Sequence, residues 1–359
     1  MSILKRFNPL RIVRIVDAVP RLQGLNDKLR EDQKATMREL RAITRKLEEI
    51  EKTLSGQQAL LSVVPELQTR VGQCVAAYTK DARYSDQAPR LREQFGTGER
   101  LAAHAIAAVA RSTLELDPCP YLVIEDLLPA DAADELVGAV PSNVFFKSQD
   151  MSRQEMQVPL VFAPERSRIA WGVFFDAVIS NALARALTDK FRPALDDFLR
   201  LHWPAFGSMA DNRITLEVSN SRLLLRRPGY VIKPHRDPRW AFLTCLVYLP
   251  KPGETETYGT QLYRLRHEPE LEHSSPLWAD PSQCELVRDV PAQQNTALVF
   301  LNSTGAHGAS IPRDAPEDTE RYVYQVQFSV DEATRQRLIA SLSGKARDGW
   351  ATDRQSEYR

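Results

Sequence analysis

Three side chains with metal-binding chemistry lie far apart in this chain yet in patterns that suggest convergence. Two of them sit in the run Gly229-Tyr230-Val231-Ile232-Lys233-Pro234-His235-Arg236-Asp237. In extended backbone, alternate side chains share a face, so His235 and Asp237 point the same way. Pro234 and Pro238 bracket the pair, which suits the end of a strand. An imidazole beside a carboxylate is half of a metal site, and His307, 70 positions beyond Asp237, offers a second imidazole. Two histidines and one carboxylate on one face of a six-coordinate ion leave three positions open, the donor set of non-haem Fe(II) sites.

Fourteen residues after His307, Arg321 opens the run Arg321-Tyr322-Val323-Tyr324-Gln325-Val326-Gln327-Phe328. Tyr322, Tyr324, Val326 and Phe328 alternate with Arg321, Val323, Gln325 and Gln327, which predicts a strand with one apolar and one mostly polar face. On the polar face, the planar Arg321 guanidinium has the geometry to grip a carboxylate through two hydrogen bonds.

On these residues the sequence resembles the Fe(II)/2-oxoglutarate-dependent dioxygenases, in particular their prolyl-4-hydroxylase-like branch. The resemblance runs from about residue 118, with Pro120-Tyr121-Leu122-Val123-Ile124 as an opening segment, to about residue 335, and covers none of the first hundred. It implies a mainly β catalytic domain, a double-stranded β-helix (jelly roll) with supporting helices. It implies Fe(II) held by His235, Asp237 and His307, and 2-oxoglutarate held at its far carboxylate by Arg321 with Tyr248 as a second contact. Ascorbate fits as a reductant. The implied reaction hydroxylates an unactivated C–H bond and releases succinate and CO2. The sequence departs from the family in three places. Its turn reads Gly259-Thr260 rather than Gly-Gly, Arg226-Arg227 stands where an aromatic residue is frequent, and a charged loop from Pro312 to Glu320 lengthens the gap before Arg321.

Two other classes compete: a catalytically inactive coiled-coil scaffold, and a cupin-like divalent-metal isomerase or hydrolase, since two histidines and a carboxylate also suit zinc. The second gives Arg321 no task. The remaining candidates read as structural. His104 lies on an Ala-rich apolar stretch as a packed core histidine, His202 precedes Trp203 at a helix end, and His267 and His273 sit in a polar loop. Arg313 lies in a loop between Pro312 and Asp314 and is the weaker alternative to Arg321.

Composition narrows the rest. The 47 basic and 47 acidic residues balance, so nothing global favours nucleic acid as a partner. The four cysteines, at 74, 119, 245 and 284, show no Cys-x-x-Cys spacing, and a reducing cytoplasm is expected, with Cys245 as core filling. No continuous apolar run approaches the roughly 18 residues of a membrane span.

The supporting elements divide the chain. Residues 1–22 interleave Lys5, Arg6, Arg11, Arg14 and Arg21 with Ile12, Val13, Ile15, Val16 and Val19. Such a basic amphipathic segment either lies on an anionic membrane surface, here the inner face, or packs against protein. In 23–56, Leu40, Ile43, Leu47, Ile50 and Leu54 follow a heptad, with Lys46 and Glu51 placed for inter-helix ion pairs, which predicts a coiled coil and a homo-oligomer. Residues 57–117 read as helical. In the domain itself, helices are expected over 131–140 and 174–203, and 142–168 reads as an irregular segment suited to a mobile cover. Strands are expected over 214–218, 221–226, 229–234, 242–249, 260–265, 284–288, 296–301 and 321–329, followed by a helix end and polar tail over 336–359. Small molecules, glycan- or lipid-linked molecules and protein side chains all remain open as substrates.

Overall fold

The computed structural model describes residues 95–351, apart from 151, 159, 161–162, 210–213, 239, 251–256 and 269–276, together with scattered positions between 68 and 93. The chain divides into two compact units, 1–72 and 73–359, and the second carries everything described below. The basic segment 1–22 and the coiled coil expected over 23–56 lie outside the described residues, as do Cys74 and His273.

Two antiparallel sheets form a jelly-roll-like domain. The larger contains β1 (Tyr121–Ile124), β2 (Lys147–Asp150), β3 (Arg153–Gln157), β4 (Glu217–Arg226), β6 (Leu243–Tyr248), β10 (Ala297–Leu301) and β12 (Arg321–Ser329). The smaller contains β5 (Val231–Arg236), β7 (Thr260–Leu265), β8 (Leu277–Trp278), β9 (Cys284–Val290) and β11 (Ala306–Ser310). The larger sheet is ordered β1-β10-β6-β12-β4-β3-β2 and the smaller β8-β5-β11-β7-β9.

Period-two patterning decides which face of the larger sheet meets which layer. Tyr322, Tyr324, Val326 and Phe328 of β12, with Leu243, Cys245 and Val247 of β6, enter the main core. Their alternates Val323, Leu246 and Tyr248 join Leu298 and Phe300 in a second cluster on the opposite face, together with Leu262 of the smaller sheet. Cys245 is core filling, as expected: burial pushes its thiol up to about 12.

Helices back the main core. They are α1 (Glu99–Arg111), α2 (Ala130–Gly138), α3 (Glu165–Val173), α4 (Ala184–His202), α5 (Glu332–Ala340) and α6 (Gly344–Ala351), with a π-helical stretch Phe174–Leu183 joining α3 to α4. The Ala-rich α1 packs closely, as its composition predicts: a Cβ on Gly98 at its N-terminus would stand 2.2 Å from Ala177 Cβ. The helical run Glu165–His202 is long and apolar enough to cross a membrane, but Trp171, Phe174, Val178, Leu183, Leu187 and Phe191 are buried in the core.

Several expectations need correction. Residues 147–157 are not irregular, because β2 and β3 form a hairpin that extends the larger sheet through β4. The helix expected from residue 174 begins at Glu165. The expected strands 214–218 and 221–226 merge into one strand, β4, which begins at Glu217 and leaves residues 214–216 outside it, and β1, β8 and β11 are additional strands. The expected polar tail contains α6, whose Trp350 is 2% exposed and sits 4.4 Å from the Trp203 ring. His104 is half-buried rather than core-packed, and its Nε2 bonds the Asp126 carbonyl at 2.9 Å. His202 packs within an aromatic cluster between Phe198 and Trp350, and His267 is exposed, both as expected.

Candidate metal centre

His235 and His307 are directly paired residues on the neighbouring strands β5 and β11, with ring centroids 4.2 Å apart. Asp237 follows β5 on the same side. One ligand atom from each of the three residues lies within 4.8 Å of the others, and all three residues are buried. His235 Nε2 stands 3.6 Å and His307 Nε2 3.9 Å from Asp237 Oδ1.

The neighbouring polar groups orient these side chains. His235 Nδ1 lies 2.9 Å from the Lys233 carbonyl, which fixes the orientation of the ring. Asp237 Oδ2 accepts from Thr244 Oγ1 at 2.6 Å and from Gln327 Nε2 at 3.3 Å. Thr244 in turn accepts from Asn302 Nδ2 at 3.0 Å, and that amide also donates to the Ala241 carbonyl at 2.6 Å. Oδ2 is thereby occupied and Oδ1 faces the imidazoles. Trp278, paired with His235 across β5 and β8, stacks on that ring at 4.9 Å while remaining half-exposed.

Electrostatics suit a cation. Burial by itself raises the Asp237 carboxyl, but the hydrogen bond with His235, the charges of both imidazoles and the Thr244 hydroxyl hold it well below the usual carboxylate range. Burial, reinforced by His235, pushes His307 down to about 3. At neutral pH the cluster is therefore an ionised carboxylate with a neutral His307 imidazole, the protonation that metal ligands require.

Arg321 opens β12 and shares the inward face with Gln327, six residues along. At roughly 3.3 Å per residue the two Cα atoms are about 20 Å apart. Arg321 is 9% exposed, and its Nε and Nη1 have no hydrogen-bond partner. Its surroundings include Tyr248 and Tyr230, and burial lowers its pKa from the ordinary arginine value. Burial pushes the Tyr248 phenol up to about 12, against the opposing pull of Arg321 and the Thr260 hydroxyl, so its own hydroxyl stays protonated. A buried guanidinium lacking partners is costly, and a carboxylate with two acceptor oxygens is the complementary group. Arg313 lies instead beside Gly229, its Cγ 3.5 Å from where a Cβ on that glycine would stand. The Gly259-Thr260 turn needs its glycine, since a Cβ there would stand 1.6 Å from the Val290 carbonyl oxygen.

The sequence reading missed Thr244, Asn302, Gln327 and Trp278. Only Gln327 carried a signal, as a polar residue inside an otherwise buried alternating strand.

No family model matches this sequence, and no curated protein matches it. Solved structures similar to it include a Pseudomonas putida prolyl-4-hydroxylase, at 18% identity over 64% of this chain and 98% of that one, with a TM-score of 0.31. HygX from Streptomyces hygroscopicus, solved with nickel, 2-oxoglutarate and hygromycin B bound, is 14% identical over 58% of this chain and 82% of that one, TM-score 0.32. The non-heme alpha ketoglutarate dependent epimerase SnoN from nogalamycin biosynthesis is 14% identical over 64% and 82%, TM-score 0.32. At these identities and scores the likenesses carry no argument, and the functional reading rests on the side chains themselves.

Proposed function

We propose that this chain is an Fe(II)- and 2-oxoglutarate-dependent dioxygenase that hydroxylates an unactivated C–H bond. In this reading His235, Asp237 and His307 hold the metal, while Arg321 and Tyr248 hold the far carboxylate of the co-substrate. The observation that carries it is the buried triad, its three ligand atoms within 4.8 Å of one another. Bound there, the ferrous ion and its co-substrate supply dioxygen activation, with 2-oxoglutarate decarboxylated to succinate and CO2 and one oxygen atom delivered to the substrate.

The chain's own residues bind, aim and exclude. Thr244 and Gln327 fix the Asp237 carboxylate so that Oδ1 faces the imidazoles. The Lys233 carbonyl orients the His235 ring. The Arg321 fork and the protonated Tyr248 hydroxyl donate to an anionic group and hold it in one orientation. Leu246, Leu298, Phe300 and Val323 on this side of the larger sheet, with Leu262 of the smaller one, keep bulk water out. A zinc hydrolase would leave the Arg321 Nε and Nη1 donors without a partner.

The test is anaerobic loading with Fe(II) and 2-oxoglutarate, followed by oxygen and assay of succinate across small molecules, glycan- and lipid-linked molecules and peptides. Succinate release above that of a His235→Ala control is expected. Equal release from both proteins would refute the reading.

A further inference from the structure

Arg236 stands between His235 and Asp237 in sequence, so alternation sends its side chain to the opposite face of β5. A charged side chain there would ordinarily reach water, yet Arg236 is only 2% exposed. Its partners account for Nε and Nη2, while Nη1 is buried without a hydrogen bond. Nε and Nη2 donate to the Gly305 carbonyl at 3.1 and 2.8 Å, and Nη2 also meets Glu268 Oε2 at 2.6 Å. The other Glu268 oxygen accepts from the Gly305 N–H at 2.6 Å. Guanidinium, carboxylate and peptide group thus close a ring around Gly305, two residues before His307.

Gly305 admits no other residue without strain. Its φ is +63°, and a Cβ there would stand 2.7 Å from the Tyr263 carbonyl oxygen and 3.1 Å from that of Pro118. Thr304 Oγ1 anchors the same turn on the Pro118 carbonyl at 2.9 Å. Beyond His307 the β5 edge gives less support. The register with β5 shifts between His307 and Ala309, opposite Lys233 and Pro234, and proline has no N–H to donate. Along its β5 edge the strand carrying His307 is therefore loosely laddered beyond the ligand and gripped before it, while β7 pairs with Ala306, His307 and Gly308 on the other edge.

We infer that Arg236 and Glu268 are positioning residues: by holding Gly305 they fix the separation of His307 from the His235/Asp237 pair and thereby set cation affinity. This rests on reading the triad as a metal centre. Glu268 is the informative position, because its side chain is 39% exposed and can be changed with little disturbance of the core. Glu268→Gln keeps an acceptor for the Gly305 N–H but loses the charge facing Arg236, and Glu268→Ala loses both.

The experiment titrates the full-length chain with Co(II) without oxygen, reading affinity and the visible ligand-field spectrum of the bound ion, with thermal melts of the metal-free proteins alongside. The exposed Arg266→Ala is the control. Outer partners of metal ligands are worth about 10–100-fold in affinity. The expected order is wild type and Arg266→Ala tightest, Glu268→Gln weaker, and Glu268→Ala at least about tenfold weaker than wild type. The Glu268→Ala spectrum is expected to change while cooperative melting is retained. Wild-type affinity and spectrum in both Glu268 variants would overturn the positioning role and leave the metal centre standing. Absence of Co(II) binding by wild type would overturn both.

Discussion

Replacing Thr244 with valine removes a single hydroxyl and tests whether the Asp237 carboxylate is held ready for a cation. Thr244 is fully buried, and its Oγ1 makes the shorter of the two bonds to Asp237 Oδ2, 2.6 Å against 3.3 Å from Gln327. A hydrogen bond to an ionised group contributes about 1.5–3 kcal/mol. The added methyl returns up to about 0.8 kcal/mol through burial. Asn302 Nδ2 keeps the Ala241 carbonyl as acceptor, so it is not stranded. The metal-free protein should lose about 1–2 kcal/mol, which for a chain this size lowers the melting temperature by a few degrees. Cation affinity should fall about tenfold, or about 1.4 kcal/mol, because the carboxylate regains freedom to rotate Oδ1 away from the imidazoles. Anaerobic calorimetric titration with Mn(II) or Fe(II) measures this directly. Thr244→Ser, which keeps the hydroxyl and drops the methyl, should recover most of the affinity. The reasoning is refuted if Thr244→Val binds within twofold of wild type, or if Thr244→Ser is as weak as Thr244→Val.

Two further perturbations separate ligand binding from folding. Arg321→Met removes a buried guanidinium whose Nε and Nη1 lack partners. The metal-free variant should melt no lower than wild type, while 2-oxoglutarate affinity measured with Mn(II) falls by about 2–5 kcal/mol, the loss seen when a buried charge pair is broken. Trp350→Ala empties the centre of the cluster formed with Trp203, Trp240 and His202. It should cost about 3–5 kcal/mol, read as a lower urea midpoint, if α6 belongs to the folded domain.

The parts of this fold that could be read from sequence are those where burial imposes a period. In β12, each residue type matches its face, and the strand was found with its boundary residue Arg321 in place. β11 was missed because Ala306-His307-Gly308-Ala309-Ser310 has little β-branched or aromatic content, although four of its five residues are buried. The β2–β3 hairpin was missed for a related reason: Arg153, Gln154, Glu155 and Gln157 show no apolar alternation, because the hairpin lies at the edge of the larger sheet. Trp350 was hidden in a polar segment whose other residues give no helical stripe. The candidate ligands could be read because their chemistry is unusual in extended chain. The groups that hold them could not: Thr244, Asn302, Arg236 and Glu268 are common residue types that acquire a role only through contacts across 7 to 69 positions.

Charge placement in the lumen bears on why the two halves of the site belong together. Asp237 is an ionised buried carboxylate at one end, and Arg321 is a buried guanidinium at the other, about six strand residues away by register. At that separation neither neutralises the other well, and each is left to find a local counter-charge. A divalent cation at the triad overcompensates Asp237 and leaves one positive charge in excess. A dicarboxylate at Arg321 overcompensates the guanidinium and leaves one negative charge in excess. The two excesses are opposite and would offset each other if a diacid and a cation occupied the site together. Neither ligand alone leaves the lumen electrically balanced, whereas the pair does, so each should bind more tightly in the presence of the other. A scaffold with no chemistry to perform would gain more from apolar residues at 237 and 321, since a buried charge held far from its opposite is a cost that packing alone would remove.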